Sequence, residues 1–155
     1  MPIVVNNTLN QIHSIAMGGD DRVEKARRLA ELVGKLGDYR WVGIYDVGAE
    51  RVSIIAWSGL EAPAHSSFSV NEGLTSVAIQ EKRAVICSDV RTEGRYLTTF
   101  ASTLSEIIVP VISPGGGHVI GTIDVESDRT DAFSSRDQEV IAQCAESALP
   151  LWVLR

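Results

Sequence analysis

The sequence predicts an α+β fold, in which an antiparallel sheet has the terminal helices on one face and a loop-covered ligand pocket on the other. Helical patterns occur at both ends of the chain, and the strand-like segments between them include pairs joined by short turns. The chain of 155 residues has the length of one domain. We expect a single domain with helices in residues 1–37, the sheet and its loops in 38–133, and a helix in 134–155.

Two helices are predicted before the first strand. The first covers residues 3–17 and ends at the glycine pair 18–19. The second begins after Asp20 and Asp21, which stand where an N-cap belongs, and it ends at Gly37. Both have apolar residues at helical spacing: Val5, Leu9, Ile12, Ile15 and Ala16 in the first, and Val23, Ala26, Leu29, Ala30, Val33 and Leu36 in the second.

The segments RWVGIYDV (40–47) and RVSIIAWS (51–58) predict a β-hairpin, because the residues between them, Gly-Ala-Glu, suit a turn. Side chains alternate between the two faces of a strand. Trp41 and Tyr45 therefore share one face of the first strand, and Val42 lies on the other.

The middle of the chain is less regular. Residues 59–69 indicate a loop and a short strand, Asn71 is placed to cap a helix that continues to Ile79, and AVICSDV (84–90) has the composition of a strand. Residues 91–103 are polar and rich in threonine, without a clear period, which indicates a connecting loop over the sheet.

Residues 105–128, SEIIVPVISPGGGHVIGTIDVESD, predict two strands joined by a turn at residues 114–117. Glu106 lies on one face of the first strand, and Asp124 and Glu126 share one face of the second. If the strands pair as a hairpin, the three carboxylates converge on one patch of the sheet. The opposite, aliphatic face would lie under the helices, with Ile107, Val109, Ile123 and Val125.

A last helix is predicted to begin at Ser134 or Ser135, with Gln138 three residues after Ser135 in the pattern of a capping box. Pro150 is expected to kink or end this helix. Its apolar stripe consists of Val140, Ile141, Cys144, Ala148 and Leu149.

These assignments put Glu106, Asp124 and Glu126 on the pocket side of the sheet with Trp41 and Tyr45. Carboxylates pair with ammonium groups and aromatic faces attract cations, so the five side chains suit a cage for an amino-bearing small molecule. Two alternatives remain open: the acids are the solvated face of an ordinary sheet, or they bind a hard metal ion. Because no acidic loop has recognised metal-binding spacing, we expect neither a metal nor a cofactor.

The composition argues against several classes of function. A formal net charge of −6 disfavours nucleic acid and anionic membranes as partners. No apolar run is long enough to cross a membrane and the N-terminus lacks a signal-peptide pattern, so we expect a cytoplasmic location. Cys87 and Cys144 have no CxxC spacing and no nearby histidine, which indicates neither a zinc site nor a disulfide framework.

Four segments in order resemble the GAF domain family and, within it, the free methionine-(R)-sulfoxide reductases. They are WVGIY (41–45), SEIIVPV (105–111), GTIDVES (121–127) and FSSRDQEVIAQ (133–143). The resemblance implies a central antiparallel sheet with terminal helices on one side and a ligand pocket under loops on the other.

The resemblance also implies roles for individual residues. In the reductases, the residues that match Glu106, Asp124 and Glu126 hold the substrate, and those that match Trp41 and Tyr45 help to wall the pocket. Glu126 stands where an aspartate is usual in that family, which gives the same charge a longer reach.

The cysteines of the reductases are not matched here. Those enzymes reduce the sulfoxide with cysteine thiolates at three places, and without gaps these places hold His65, Thr75 and Thr99. Cys87 lies outside all three. The resemblance therefore implies that the acidic pocket is kept while the thiol mechanism is lost.

The sequence thus predicts a small-molecule-binding or sensing protein without catalysis, whose acidic pocket holds an amino-bearing metabolite. The alternative is a reductase-like enzyme with non-thiol chemistry, in which the acids donate protons. We also expect a homodimer, because GAF domains pair through terminal helices, as the resemblance implies, and the chain ends in LPLWVLR. Its Leu151, Trp152 and Leu154 are too hydrophobic to be left fully in water.

Overall fold

One curled antiparallel sheet organises the computed structural model, which describes residues 3–154. Within these residues the order of elements confirms the predicted α+β fold. The elements are α1 (Ile3–Met17), α2 (Arg22–Gly37), β1 (Trp41–Val47), β2 (Arg51–Ser58), β3 (Ser67–Ser69), α3 (Gly73–Glu81), β4 (Val85–Cys87), β5 (Ser105–Ile112), β6 (Val119–Ser127), α4 (Ser135–Ser147) and α5 (Pro150–Val153).

The strands lie in the order β3-β2-β1-β6-β5-β4. Both predicted hairpins are present, since β1 pairs with β2 and β5 pairs with β6. The two hairpins meet where β1 pairs with β6, in a register that sets Trp41 across from Glu126 and Gly43 across from Asp124. Strands that are far apart in the chain are thereby joined in the centre of the sheet.

Helices α1, α2 and α4 cover one face of the sheet, and the short helix α3 packs on the other face against β4 and β5. α2 packs on β1 and β2, α4 packs on β5, and α1 packs against both α2 and α4. The aliphatic side chains predicted for this face, including Ile107 and Ile123, are buried in one core with Leu29 of α2 and Ile141 of α4. Truncation of a fully buried leucine to alanine costs about 2–5 kcal/mol, so Leu29 is a major anchor of α2.

Helix α2 begins and ends where the sequence predicts. Asp21 is its N-cap and accepts a hydrogen bond from the backbone N–H of Glu24, and the helix ends at Gly37. Lys25 of α2 is buried, and its Nζ donates to the carbonyl oxygens of Ala16 and Gly18 at 3.2 and 3.1 Å. A cation is thus placed at the C-terminal end of α1, where it stabilises the last carbonyls.

The predicted Asn71 cap and the predicted Ser135–Gln138 capping box are wrong, whereas Ser134, one of the two serines predicted to cap α4, is its N-cap. Helix α3 begins after Glu72, not Asn71, and the carboxylate of Glu72 instead accepts a hydrogen bond from the backbone N–H of Ser69. The capping box of α4 joins Ser134 to Asp137 rather than Ser135 to Gln138. The carboxylate of Asp137 accepts from Ser134 N–H at 2.8 Å, and a charged acceptor makes a stronger bond there than an amide.

Two other elements differ from the prediction. The segment 84–90 is a strand only at Val85–Cys87, because the Asp89 side chain accepts from Arg91 N–H and turns the chain into one 3-10 turn. The predicted C-terminal helix is divided in two: α4 ends at Ser147, shortly before Pro150 as predicted, and Pro150 opens the short helix α5, where its missing N–H costs nothing.

The C-terminal residues fold back onto their own domain. Leu151 and Trp152 are only 1% and 5% exposed, and Trp152 Nε1 donates to the carbonyl oxygen of Tyr45 at 3.1 Å. Gly121 leaves room for the indole, since a Cβ there would lie 2.2 Å from Trp152 Nε1. Of the three hydrophobic residues that suggested an interface, only Leu154 is exposed, so the homodimer rests on weaker grounds and stays a prediction.

No helix within residues 3–154 combines the length and the apolar character needed to cross a bilayer.

Candidate functional site

The three predicted acids meet on the face of the sheet opposite α1, α2 and α4, where only the short helix α3 packs, through Leu74 and Ala78 against Ile108. Glu106 of β5 lies directly across from Glu126 of β6, and Asp124 lies two residues before Glu126 on the same face. Directly opposed residues in a sheet have Cβ atoms about 5 Å apart. The residues are buried, with exposures of 5%, 4% and 2% for Glu106, Asp124 and Glu126, so they are not the solvated face of an ordinary sheet.

Two aromatic side chains from β1 lie beside the acids, as predicted. Trp41 and Tyr45 are 3% and 2% exposed and belong to one small core with Phe68. Gly43 stands between them and across from Asp124. A Cβ at Gly43 would lie 2.4 Å from Trp41 Cη2 and 2.8 Å from Tyr45 Cε1, so the two rings close over this glycine.

The segment 88–104 between β4 and β5, here called the cover loop, lies over the acids. Tyr96 donates its hydroxyl hydrogen to Glu126 Oε1 at 3.0 Å, and the ring of Phe100 meets Trp41 edge-on with 5.3 Å between centroids. The loop predicted from a polar, threonine-rich sequence therefore covers the acidic face and contacts it directly.

Several buried polar atoms at this face lack hydrogen-bond partners within the described residues. They are Asp124 Oδ1, Thr122 Oγ1 and Thr103 Oγ1. Leaving a buried polar group unpaired costs about 1–3 kcal/mol. The acidic face therefore offers acceptors to a donor that the protein itself does not supply.

Burial dominates the electrostatics of the three acids. It raises the pKa of Glu106 well above its ordinary value, and the neighbouring carboxylates of Glu126 and Asp124 raise it further. Burial likewise raises the pKa of Asp124 to about 8, with a smaller opposing effect of the Thr122 hydroxyl. Without a cation, the cluster therefore holds protons well above the pH at which exposed carboxyls lose them.

Glu126 differs from the other two acids in its surroundings. Burial raises its pKa, while the nearby hydroxyls of Thr103, Thr99 and Tyr96 and the charge of Arg40 act in the opposite direction. Of these hydroxyls, that of Tyr96 forms a hydrogen bond of normal geometry to Glu126, whereas Thr103 Oγ1 has no hydrogen-bond partner. Glu126 is thus the acid of the cluster best prepared to be ionised.

The site is closed. None of the five principal cavities within residues 3–154 is lined by any of the three acids. The nearest to Trp41 is a cavity of about 20 Å³ lined by Arg40, Trp41, Leu60, Glu61 and Phe100. The sequence predicted a loop-covered pocket; in the structure the aromatic rings and the cover loop close over the acids, so a ligand needs the cover loop to move.

Sequence reasoning missed four residues of the site. Thr122 could have been found, because strand alternation puts it on the face of Asp124. Tyr96 and Phe100 are aromatic residues within a polar loop, which is a usable signal for a contact. Thr103 carried no signal, since the loop contains several threonines and only the folded chain distinguishes them.

Strand pairing places Cys87 beside the acids, a neighbourhood that the sequence did not predict. Its strand pairing sets Cys87 directly across from Glu106, on the acidic face, whereas Cys144 is buried in α4 on the helix side; both are free thiols. Burial raises the pKa of Cys87, and the carboxylates of Glu93 and Asp89 add to the effect. A raised pKa keeps this thiol protonated and lowers its reactivity.

The three residues that align with the cysteines of the reductases differ in burial and in their position in the fold. Thr75 is buried in α3, His65 is exposed in the loop before β3, and Thr99 lies in the cover loop, where its backbone N–H donates to the Tyr96 hydroxyl oxygen. Among residues 3–154, no three His, Cys, Asp or Glu side chains are arranged to hold a metal ion.

Comparisons with known proteins agree with this architecture. The sequence profile of the GAF domain matches residues 20–149. GAF domain-containing protein A of Dictyostelium discoideum is 25% identical over 138 residues, which are 88% of this chain and 85% of that protein.

Solved structures of free methionine-R-sulfoxide reductases are also similar. The type II enzyme of Thermoplasma acidophilum is 34% identical, with a TM-score of 0.74 over 84% of this chain and 94% of the enzyme. The enzyme of Neisseria meningitidis in complex with its substrate has a TM-score of 0.83 at 22% identity, over 96% and 88% of the two chains, which shows the shared fold.

The profile match covers most of the chain, and the six-stranded sheet with its terminal helices is shared with other GAF structures, including one with a TM-score of 0.82. The protein is therefore a member of the GAF domain family.

Proposed function

We propose that the protein binds a small metabolite bearing a positively charged amino group at the acidic site, and that it acts by binding rather than catalysis. The observation that carries this proposal is the set of three buried carboxyls, with Asp124 Oδ1 and two nearby hydroxyls left without partners. An ammonium group supplies three donors and a positive charge to such a site.

The charges of the site support a cationic ligand. Within residues 3–154, no lysine or arginine forms an ion pair with Glu106, Asp124 or Glu126. Carboxylates crowded together without a counter-charge repel one another, and an ammonium among them removes the repulsion and favours their ionised form. The aromatic faces of Trp41 and Tyr45 add cation–π attraction.

The class of ligand is suggested by the relatives. The similar enzyme of Thermoplasma acidophilum is described as acting on free methionine-R-sulfoxide, an amino acid with a free ammonium group. We infer that free amino acids and their oxidised forms are the first compounds to test. In a sensing role in the cytoplasm, the ligand-bound form would be recognised by a separate partner protein.

The test is a thermal-shift and calorimetry panel with purified protein. It compares the twenty free amino acids, L-methionine sulfoxide and N-acetyl-methionine, which lacks the ammonium charge. We expect at least one free amino compound to raise the melting temperature, since a ligand that binds only the folded state stabilises it. The N-acetyl compound should have no effect.

Variants complete this test. Asp124→Asn and Glu126→Gln should weaken binding by about tenfold or more, since each removes a charged hydrogen-bond acceptor. The control is Glu139→Gln, which neutralises an exposed acid of α4 outside the site. If no amino compound shifts the wild-type melt, or if the site variants bind as well as the control, the binding proposal is wrong.

A second candidate function is favoured by one observation, the position of Cys87 across from Glu106. In this reaction the Cys87 thiolate attacks the sulfoxide sulfur, and Glu106 or Asp124 in its protonated form donates to the sulfoxide oxygen, leaving the sulfide and a Cys87 sulfenic acid. A first external thiol forms a mixed disulfide with Cys87 and releases water. A second external thiol then restores the Cys87 thiol and leaves as the external disulfide.

Two facts count against this second function. The pKa of Cys87 is raised rather than lowered, and Cys144 lies on the opposite face of the sheet, so it is not placed to form an intramolecular disulfide with Cys87. The assay is reduction of free L-methionine-(R)-sulfoxide with dithiothreitol. Turnover that is abolished by Cys87→Ser but not by Cys144→Ser would establish the enzyme, and absence of turnover in protein that binds the sulfoxide would leave binding as the function.

A further inference from the structure

We propose that Arg40 is the specificity-determining residue of the acidic site, selecting free α-amino acids over simple amines by binding the carboxylate of the ligand. In this arrangement the ammonium group of the ligand lies against Asp124 and Glu126, and its carboxylate lies against the guanidinium of Arg40. The inference rests on the proposed function, because it concerns the second charged group of the same ligand.

Arg40 stands at the edge of the site. It directly precedes Trp41, the first residue of β1, and Trp41 lies across from Glu126 in the sheet. Arg40 also lines the cavity of about 20 Å³ together with Trp41 and Phe100. This cavity borders the closed site at Trp41 and at Phe100 of the cover loop, so a ligand that enters there passes the guanidinium.

The guanidinium has donors to spare. Its Nη1 donates to Ser102 Oγ of the cover loop at 2.6 Å, and its Nε lies 3.9 Å from Asp128 Oδ2, a long ion pair at a partly exposed position. Arginine has five N–H donors in a rigid fork that matches the two oxygens of a carboxylate. A ligand carboxylate can therefore bind without breaking a buried ion pair.

The charge of Arg40 reaches the acids. Burial raises the pKa of Glu126, and the charge of Arg40 opposes part of this rise, so the two groups interact through space although no direct ion pair joins them. A ligand with a positive and a negative group can lie between Glu126 and Arg40 and pair with both of them. A simple amine would offer no acceptor to the spare donors of Arg40 and would be repelled by its charge.

Binding of the ligand carboxylate by Arg40 would also affect the position of the cover loop. Ser102 belongs to the cover loop, so the hydrogen bond from Arg40 is one of the contacts that hold the loop over the site. A carboxylate that competes for the guanidinium replaces the Ser102 hydroxyl with a stronger, charged acceptor. Arg40 thus couples recognition of the carboxylate to the position of the loop.

The experiment compares two probes by isothermal titration calorimetry: L-methionine sulfoxide and 3-(methylsulfinyl)propylamine, which lacks only the carboxylate. Four proteins are used: wild type, Arg40→Gln, Arg40→Lys, and Arg51→Gln as a control. Arg51 is an exposed arginine of β2 that binds Ser67, and it controls for the loss of one positive charge.

We expect wild type to bind the amino acid more tightly than the amine. Arg40→Gln should weaken binding of the amino acid by about 10- to 100-fold, the loss typical of a charged hydrogen-bonded pair, and should leave binding of the amine unchanged or slightly improved. Arg40→Lys keeps the charge without the fork and should show a smaller loss. Arg51→Gln should bind both probes as wild type does.

The outcomes separate this inference from the function on which it rests. Equal affinity of wild type for both probes, or an equal loss for both in Arg40→Gln, would overturn the role of Arg40 while leaving the site a binding site for amino compounds. If wild type bound neither probe, the proposal for this ligand class would fail and the role of Arg40 with it.

Discussion

The substitution Asp124→Asn should stabilise the ligand-free protein at neutral and alkaline pH and flatten the dependence of its stability on pH. Asp124 is 4% exposed, lies beside two other carboxyls and has an oxygen without a hydrogen-bond partner. Its ionised form is therefore disfavoured in the folded state. Asparagine has nearly the same shape and carries no charge at any pH in the range.

The magnitude follows from the shift in pKa. Burial raises the pKa of Asp124 from its ordinary 3.8 to about 8 in the folded protein. A folded-state pKa above the unfolded one gives stability that is fully present below the unfolded pKa and is lost as the pH rises through the folded pKa. At about 1.36 kcal/mol per pKa unit, the wild type should lose about 5 kcal/mol between pH 4 and pH 9 from this group.

The assay is urea denaturation of both proteins at half-unit steps from pH 5 to pH 9.5, with ligand removed by unfolding and refolding. Asp124→Asn should have the higher free energy of unfolding above pH 7, by several kcal/mol at pH 9, and the two curves should converge toward pH 5. Glu139→Gln, which changes an exposed acid, should follow the wild-type curve.

A free energy of unfolding that rises with pH in the wild type would refute the reasoning. If the wild type gained stability from pH 5 to pH 9, or if Asp124→Asn were destabilised by several kcal/mol at every pH, Asp124 would be a paired structural acid whose removal strands a buried partner. Asp137 does not interfere with this measurement. Burial acts to raise its pKa, but the hydrogen bond from Tyr39 and those from Ser134 lower it overall, so the stability that is lost when Asp137 is protonated is lost below this pH range.

Three further predictions concern packing and assembly. Gly43→Ala should destabilise the fold by about 1–3 kcal/mol in thermal or urea melts, because the new Cβ would lie 2.4 Å from Trp41 Cη2, whereas Gly19→Ala, with nothing within 4 Å, should not. Trp152→Phe should cost about 1–3 kcal/mol through loss of the bond to the Tyr45 carbonyl, and an unchanged melt would contradict the role given to that bond. Light scattering should give twice the chain mass of 16.8 kDa, and a monomer mass at micromolar concentrations would exclude the homodimer.

The sequence alone determined the fold and most of the site. Alternation along the strands assigned Glu106, Asp124 and Glu126 to one face and Ile107 and Ile123 to the other, because the period of a strand is set by its backbone and not by its neighbours. The hairpins were predicted for the same reason, since short glycine-containing turns leave antiparallel pairing as the simplest outcome.

The tertiary structure decided what surrounds those residues. The pairing of β1 with β6 joins residues about 80 positions apart, and no local pattern specifies its register, which sets Gly43 across from Asp124. The short pairing of β4 brings Cys87 across from Glu106. Sequence spacing showed only that this cysteine lies outside the three reductase cysteine places, because distance along the chain says little about distance across a sheet.

The tertiary structure also determined how the site is closed and where the C-terminal residues pack. The cover loop has no periodic pattern, so only the folded chain shows that Tyr96 reaches Glu126 and that Phe100 packs on Trp41. The hydrophobicity of Trp152 predicted that it is buried, but it could not predict against which surface, because the hydrophobic effect is non-directional. The indole packs on its own domain because Gly121 leaves room for it there.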